Sequence, residues 1–236
     1  MYAMNGKIYR FETLPSTQDF LREKQDEGRD MLAVAKTQTG GKGTKGRAFE
    51  CAAGGLWLSL LRFHKDLPAK DAFLMMAKGA VAVAKTLEDY GLSPKIKWAN
   101  DVLVGGKKIC GILTENRLSP SGIVSTLWGI GLNVNNRLSD ELSTLATSMS
   151  ESLGGPCDLK KVEEKLLGHL NEDFAFTEYQ TRLAYVGERV EFTANGTPFS
   201  ARLDGVTERG ELLLSANGEQ KAYAYGEIAL AKKERI

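Results

Sequence analysis

The sequence predicts a mixed α and β domain followed by a small β-barrel. Up to about residue 185, apolar runs of strand length alternate with stretches whose apolar residues recur at helical spacing. After Gly187 the texture changes to short alternating runs, RVEF, SARLDGV, ELLLS and KAYAY. They are separated by Asn195-Gly196, Arg209-Gly210 and Asn217-Gly218, all hairpin turn signals. The length of 236 residues, 42% of them hydrophobic, suffices for one large core and a smaller companion. The expected division is 1–185 and 186–236.

Taken in order, 7–11 (KIYRF) reads as a strand. Ser16 then stands as a helix N-cap with Asp19 three residues on, and Gly28 is a plausible stop. Residues 31–36 form a β-prone run, and a loop is expected from Thr37 to about Phe49. After Gly54-Gly55 comes a strong strand, LWLSLLRF (56–63). Helical spacing from Asp71 to Tyr90 ends at Gly91. Strands follow at 95–98, 101–104, 109–116 and 123–134, the second and third joined through Gly105-Gly106. Asp158 opens the last long amphipathic helix, apolar at Leu159, Val162, Leu166, Leu167, Leu170 and Phe174.

Composition excludes several functional classes. With 31 Lys+Arg against 30 Asp+Glu, the net charge of +1 lacks the basic footprint of a dedicated nucleic-acid binder. The three cysteines, Cys51, Cys110 and Cys157, have no C-x-x-C spacing, which argues against a disulfide scaffold or a cysteine zinc site. His64 and His169 are too isolated to suggest a metal pair. No run approaches 18 apolar residues and the N-terminus has no signal-like apolar core, so a reduced, cytoplasmic protein without a membrane partner is expected.

The balanced total conceals a basic glycine loop. Residues 36–47, KTQTGGKGTKGR, hold Lys36, Lys42, Lys45 and Arg47 among four glycines, with no acid. Glycines let backbone N–H groups curl around an anion, and the cations add charge. The alternative is a surface loop with solvated lysines. Three familiar motifs fail on context. Gly41-x-Gly43-x-x-Gly46 matches a dinucleotide fingerprint, but a strand follows where a helix should open. No H-R-D or D-F-G supports a kinase. Gly41-x-x-x-x-Gly46-Arg47-Ala48 lacks the Lys and Ser/Thr of a P-loop.

A second cluster, KIKWAND (95–101) followed by VLVGGKKICGILTE, reads by itself as turn chemistry and hairpin-end lysines. Its co-occurrence with the loop and with GIGLNVNN (129–136), whose small residues permit close backbone approach, shifts that reading. Together the motifs resemble the biotin–protein ligases (biotin–[acetyl-CoA-carboxylase] ligases) over nearly the whole length. Ser16-Thr17-Gln18 stands for S-T-N, and 38–47 for Q-x-A-G-R-G-R-x-G-R. Residues 97–101 stand for K-W-P-N-D, Lys108-x-x-Gly111-Ile112-Leu113-x-Glu115 for K-x-x-G-I-L-x-E, and 129–133 for G-I-G-I-N. Gly226-Glu227-Ile228 is similar to the G-E-[IV] near the family's C-terminus.

The resemblance implies an α+β fold: a catalytic domain like class II aminoacyl-tRNA synthetases and lipoate ligases, with a mixed sheet and helices mainly on one side, then an SH3-like barrel. It implies two steps, formation of biotinyl-5′-AMP from biotin and ATP, then transfer to a lysine of a biotin carboxyl carrier protein. The chain starts at the catalytic domain's first strand, so a monofunctional enzyme without the DNA-binding module is expected, as monomer or homodimer. By motif position, Lys108 and Lys42 are the expected catalytic residues. Ser16, Thr17, Gln18 and Gln38, with Lys42, Gly43, Thr44 and Lys108, are expected at biotin. Gly41, Lys45, Arg47, Phe49, Asn100, Asp101 and Asn133 are expected on the nucleotide side, Asp101 as an indirect Mg²⁺ partner. Helix capping by Ser16 and Thr17, and plain burial of Phe49, stand beside these roles. Lys42 and Thr44 replace two loop arginines, one losing the planar fork and the other the charge, which implies weaker retention of the adenylate. Ala99 for Pro removes a rigid φ. A lipoate- or octanoate-transferring relative and a catalytically impaired biotin sensor are the competing readings.

Overall fold

A computed structural model describes residues 6–194 and 196–230. Lys45 is described in its backbone alone, and Asn195 of the predicted turn lies outside the described residues. The first strand, β1 (Lys7–Leu14), runs parallel to β2 (Met31–Gln38), and the helix between them, α1 (Thr17–Arg22), makes the crossover that parallel pairing requires. The strands β3 (Leu56–Leu67), β4 (Pro94–Lys97), β5 (Asp101–Val104), β6 (Lys107–Ser119) and β7 (Gly122–Leu132) join by antiparallel pairing. The result is a seven-stranded sheet in the order β1-β2-β3-β7-β6-β5-β4.

The strand period of two divides this sheet into a packed face and a working face. On the packed face Leu58, Leu60, Ile112, Trp128 and Ile130 meet the long helix α2 (Ala72–Glu88), whose buried positions run almost unbroken from Met76 to Leu87. Gly79 lets Trp128 approach: a Cβ there would lie 2.9 Å from its Cδ1, and the indole Nε1 donates to Met75 O at 2.7 Å. The other face carries the smaller cluster of Leu21, Met31, Ala33, Leu61 and Leu127 beneath α1, and beyond that cluster it is open.

Three short helices, α3 (Asp140–Ser143), α4 (Met149–Leu153) and α6 (Phe176–Arg182), are too brief to show a 3.6-residue period and were not expected. Between the last two lies α5 (Leu159–Asn171), capped by the Asp158 carboxylate as predicted. The helix expected from Ser16 to Gly28 ends at Arg22 and gives way to a 3₁₀ turn at Gln25–Glu27, with Gly28 at φ +67°. No apolar residue follows Leu21 in that stretch, so further helix would bury nothing.

The C-terminal strands, β8 (Arg189–Ala194), β9 (Thr197–Val206), β10 (Leu212–Ala216), β11 (Glu219–Tyr223) and β12 (Ile228–Leu230), form an antiparallel five-stranded sheet of SH3-like kind. Val190, Phe192, Ala201, Leu203, Leu212 and Leu214 form its buried face, continuous with the main core. Trp98 ties the two sheets together by donating from Nε1 to Gly210 O at 3.1 Å. None of the described helices is long and apolar enough to cross a membrane.

Candidate active site

Glycines make the floor of the site. On the working face Gly129 and Gly131 of β7 stand two residues apart, and Gly131 pairs with Gly111 of β6. These absent side chains are occupied by others. A Cβ at Gly129 would lie 2.3 Å from Gln18 Oε1, one at Gly131 2.7 Å from Phe49 Cε1, and one at Gly111 3.0 Å from Phe49 Cε2. The cleft above them encloses about 170 Å³, more than the ~150 Å³ that admits benzene, so a small bicyclic head group is within its range.

One end of the cleft is polar, uncharged and buried. Gln38 Oε1 accepts from Thr17 N at 2.7 Å and from Thr17 Oγ1 at 3.0 Å, and its Nε2 donates to Cys51 Sγ at 3.1 Å. Thr17 Oγ1 lies 2.8 Å from Ser59 Oγ, which donates to Gln18 Oε1 at 3.2 Å. Ser16 caps α1, its hydroxyl accepting from Asp19 N at 3.2 Å, so the capping reading holds. Ser16, Thr17, Gln18 and Ser59 are all buried. Burial pushes the Cys51 thiol up to about 11, which leaves it a neutral wall group.

The other end carries charge. Lys108 Nζ meets Asp101 Oδ1 at 2.7 Å and sits 5.3 Å from the Phe49 ring centroid. A β-bulge explains how it gets there. In an unbroken strand Lys108 and Gly111, three residues apart, would face opposite ways. The β5–β6 register shifts between Val102 and Leu103, so Leu103 pairs with Lys108 while Val102 pairs with Cys110. The extra residue turns Lys108 onto the face shared by Gly111 and Asp101. Asn100 is fixed beneath, donating from Nδ2 to Ile112 O at 2.6 Å.

The glycine loop lies across this end as a small hairpin. Lys42 bridges Ala48, Phe49 N donates to Gly41 O at 2.9 Å, and a 3₁₀ turn spans Thr44–Gly46. Lys42 Nζ reaches back to Asp19 Oδ2 at 2.7 Å, and Asp19 also accepts from Arg22. Burial pulls the Asp19 carboxyl upward, but the hydrogen bonds from Lys42 and Arg22 outweigh it and hold it below the usual range. Arg22 in turn grips Glu115 with Nε at 2.8 Å and Nη2 at 2.6 Å, and Glu115 accepts from Gln18 Nε2 at 3.1 Å.

Of the residues singled out in the sequence, Ser16, Thr17, Gln18, Gln38, Lys42, Gly43, Thr44, Arg47, Phe49, Asn100, Asp101 and Lys108 all line this cleft. Two do not. Gly41 lies within the loop hairpin but does not line the cleft, and a Cβ there would strike Phe49 O at 2.5 Å. Asn133 is buried below, donating to Thr147 O at 3.0 Å and accepting from Asn136 at 3.1 Å, so it shapes the loop after β7. The Lys45 side chain lies outside the described residues. Ser59 and Cys51 line the cleft without having been singled out, and Asp19 and Arg22 stand just behind it. Ser59 left a signal, being the one polar residue of LWLSLL. Cys51, Asp19 and Arg22 left none beyond proximity.

Among the described residues no three His, Cys, Asp or Glu side chains gather in a way that could hold a metal ion. The model of the biotin/lipoate A/B protein ligase family matches residues 10–135, the stretch that supplies every residue of the cleft. The bifunctional ligase/repressor BirA of Bacillus subtilis is 33% identical over 243 residues, covering 94% of this chain and 74% of that protein. The biotin–[acetyl-CoA-carboxylase] ligase of Mycobacterium tuberculosis is 26% identical over 214 residues, 84% of this chain and 78% of its own length. The solved structure of biotin protein ligase from Aquifex aeolicus in complex with biotin and ATP is similar with a TM-score of 0.80 at 27% identity, covering 96% of this chain and 99% of that one. With the family model matching more than half of its length and a 33%-identical relative matched over nearly all of it, the chain belongs to the biotin/lipoate A/B protein ligase family.

Proposed function

We propose that this chain is a biotin–[biotin carboxyl-carrier protein] ligase. It activates biotin with ATP as biotinyl-5′-AMP and passes the biotinyl group to a lysine of a carrier domain. The observation that carries this reading is the division of one cleft into a neutral, hydrogen-bonding end and a cationic end. A ureido ring offers N–H donors and a carbonyl acceptor to Thr17, Gln18, Gln38 and Ser59. A dithiolane ring offers neither donor nor acceptor to this network, and a site built for hydrogen bonds discriminates strongly against a ligand that lacks them. This favours biotin over lipoate within the family.

In the first step a biotin carboxylate oxygen bonds to the α-phosphorus of ATP as the bond to the β-phosphate oxygen breaks, releasing diphosphate. Two anions must meet, so the chain's contribution is position and positive charge, and no side-chain nucleophile is required. Lys108 is placed for the junction of carboxylate and α-phosphate, with Lys42 and Arg47 above it from the loop. In the second step the acceptor lysine amine attacks the biotinyl carbonyl carbon, AMP leaves, and the ammonium loses a proton. Phe49, Asn100 and Asp101 face the nucleotide side. Asp101 is the carboxylate on the cleft wall and is already paired with Lys108. A single carboxylate suits Mg²⁺ that arrives on the phosphates of ATP and keeps several waters, so Mg²⁺ is assigned as part of the nucleotide substrate with Asp101 an indirect partner. Residues 1–185 are assigned as the catalytic unit and 186–236 as the SH3-like one.

The test is incubation with biotin, Mg-ATP and a purified carboxyl-carrier domain, followed by detection of biotinylated lysine. Biotin-dependent ATP–pyrophosphate exchange that is absent with lipoate is expected. Exchange with lipoate alone would reassign the substrate, and biotin binding without any turnover would leave a sensor.

A further inference from the structure

The polar chain behind the cleft is continuous from the loop to the sheet. Lys42 is bound to Asp19, Asp19 to Arg22, Arg22 by two bonds to Glu115, and Glu115 to Gln18. One end of that chain is a loop cation and the other is an amide in the neutral pocket. Two cations face two carboxylates, so the chain is neutral as it stands. Arg22 is the fixed member, because its guanidinium grips a strand carboxylate from the middle of the sheet. Lysine is the exchangeable member. Its ammonium carries three donors on a flexible stem, so one N–H can stay on Asp19 while the others turn to an anion in the cleft.

We propose that Asp19 is a positioning residue for the glycine loop: its carboxylate, braced by Arg22 on Glu115, holds Lys42 against the cleft wall and so holds the loop over the activated intermediate. Lysine has replaced a planar fork at position 42, and a compact ammonium needs an external anchor to point in one direction. Asp19 supplies it from the first turn of α1, next to Gln18, so the wall of the neutral pocket and the anchor of the loop are consecutive residues. The substitution Asp19→Asn is mild for the fold, since the helix cap uses only the backbone N–H of residue 19.

The experiment has two readouts on the full chain, and a thermal melt confirms folding of each variant. The first needs no ligand: limited trypsin cleavage within the loop, at Lys42, Lys45 or Arg47. The second rests on the ligase reading: the dissociation rate of biotinyl-5′-AMP formed from biotin and ATP. D19N is expected to be cleaved faster in the loop and to lose the adenylate about fivefold faster, the upper range for an ion pair of this exposure. D19E, which keeps the carboxylate, is expected to restore both. Wild-type cleavage in D19N, unchanged adenylate dissociation despite faster cleavage, or failure of D19E to restore protection would each overturn the proposal. If the wild-type chain forms no adenylate, the ligase reading falls instead, while cleavage still decides whether Asp19 anchors the loop.

Discussion

Replacing Gly129 by alanine should separate binding from folding. Gly129 does not adopt a positive φ, so alanine fits its backbone. The new Cβ would lie 2.3 Å from Gln18 Oε1 and 3.1 Å from its Cδ, and the amide must retreat by about 0.7 Å to clear 3.0 Å. That atom is the free end of a side chain, so the sheet need not move. The displaced amide, however, cannot keep both of its bonds. The bond to the Glu115 carboxylate at 3.1 Å is of the charge-assisted kind, about 1.5–3 kcal/mol, and the bond from Ser59 at 3.2 Å is a neutral one, about 0.5–1.5 kcal/mol. Water entering the pocket recovers part of that sum. A net loss of about 2 kcal/mol in head-group recognition corresponds to a roughly 30-fold weaker Kd for biotin. Calorimetric titration of biotin without ATP measures it, with a thermal melt alongside. A Kd within threefold of wild type in a normally folded G129A would show that Gln18 does not meet the ligand, and the assignment of the neutral end as the head-group pocket would be wrong.

K108M removes the cation paired with Asp101 and proposed for the adenylate junction, and kcat for ATP–pyrophosphate exchange should fall by about 10²–10³, the usual scale for a charge-stabilising donor. A loss below tenfold would move that role to Lys42 or Arg47. The buried thiols give an alkaline limit. Burial raises Cys51 to about 11 and raises Cys110 as well, from an ordinary 9.0. Their folded-state values lie above the unfolded ones, so the unfolded chain loses these protons first. Stability should therefore hold below about pH 9 and decline towards pH 11, as denaturant midpoints across that range would show; replacement of both thiols by alanine should flatten the decline. Gly168 lies within α5, where a Cβ meets nothing within 4 Å, so G168A should stabilise the fold by about 0.5–1 kcal/mol and leave biotin affinity unchanged.

What the sequence made legible was local. The hairpins of the C-terminal sheet follow from Asn-Gly and Arg-Gly turns, and α5 from a cap and an apolar stripe along its 13 residues, both of which rest on signals a few residues apart. What stayed illegible depends on partners distant in the chain. The spacing of Lys108, Gly111, Leu113 and Glu115 defies a strand's alternation until the bulge against β5 is known, and no residue in 107–115 announces it. The truncation of α1 is another case: Ser16 and Gly28 bracket a helix correctly by local rules, but α1 has no further apolar face to bury. Ser59 was readable as a lone hydroxyl in an apolar strand. Its bond to Thr17, 42 residues away, was not.

The charge of the site shows the same division most sharply. By sequence the loop is acid-free, and a reading of residues 36–47 alone gives a strongly positive patch. In space the acids arrive from elsewhere. Glu12 of β1 meets Lys36 at 2.8 Å, Asp19 of α1 meets Lys42, and Asp101 of β5 meets Lys108. Arg47 bonds instead to Thr44, through its carbonyl at 3.3 Å and its hydroxyl at 3.0 Å. Lys42 and Lys108 of the cleft, and Lys36 outside it, are thus held at rest by carboxylates, and exposed or partly exposed pairs of this kind contribute about 0–1 kcal/mol each. Such pairs are strong enough to orient a lysine and weak enough to be exchanged. On the proposed ligase reading, when biotin and ATP fill the cleft and water leaves, Lys42 and Lys108 would turn to phosphate and carboxylate oxygens at a lower effective dielectric, where each contact counts for several times more. A permanently unpaired cationic cleft would bind any passing polyanion. One whose cations are lent to neighbouring carboxylates favours the ligand pair that can both displace those partners and close the site over itself.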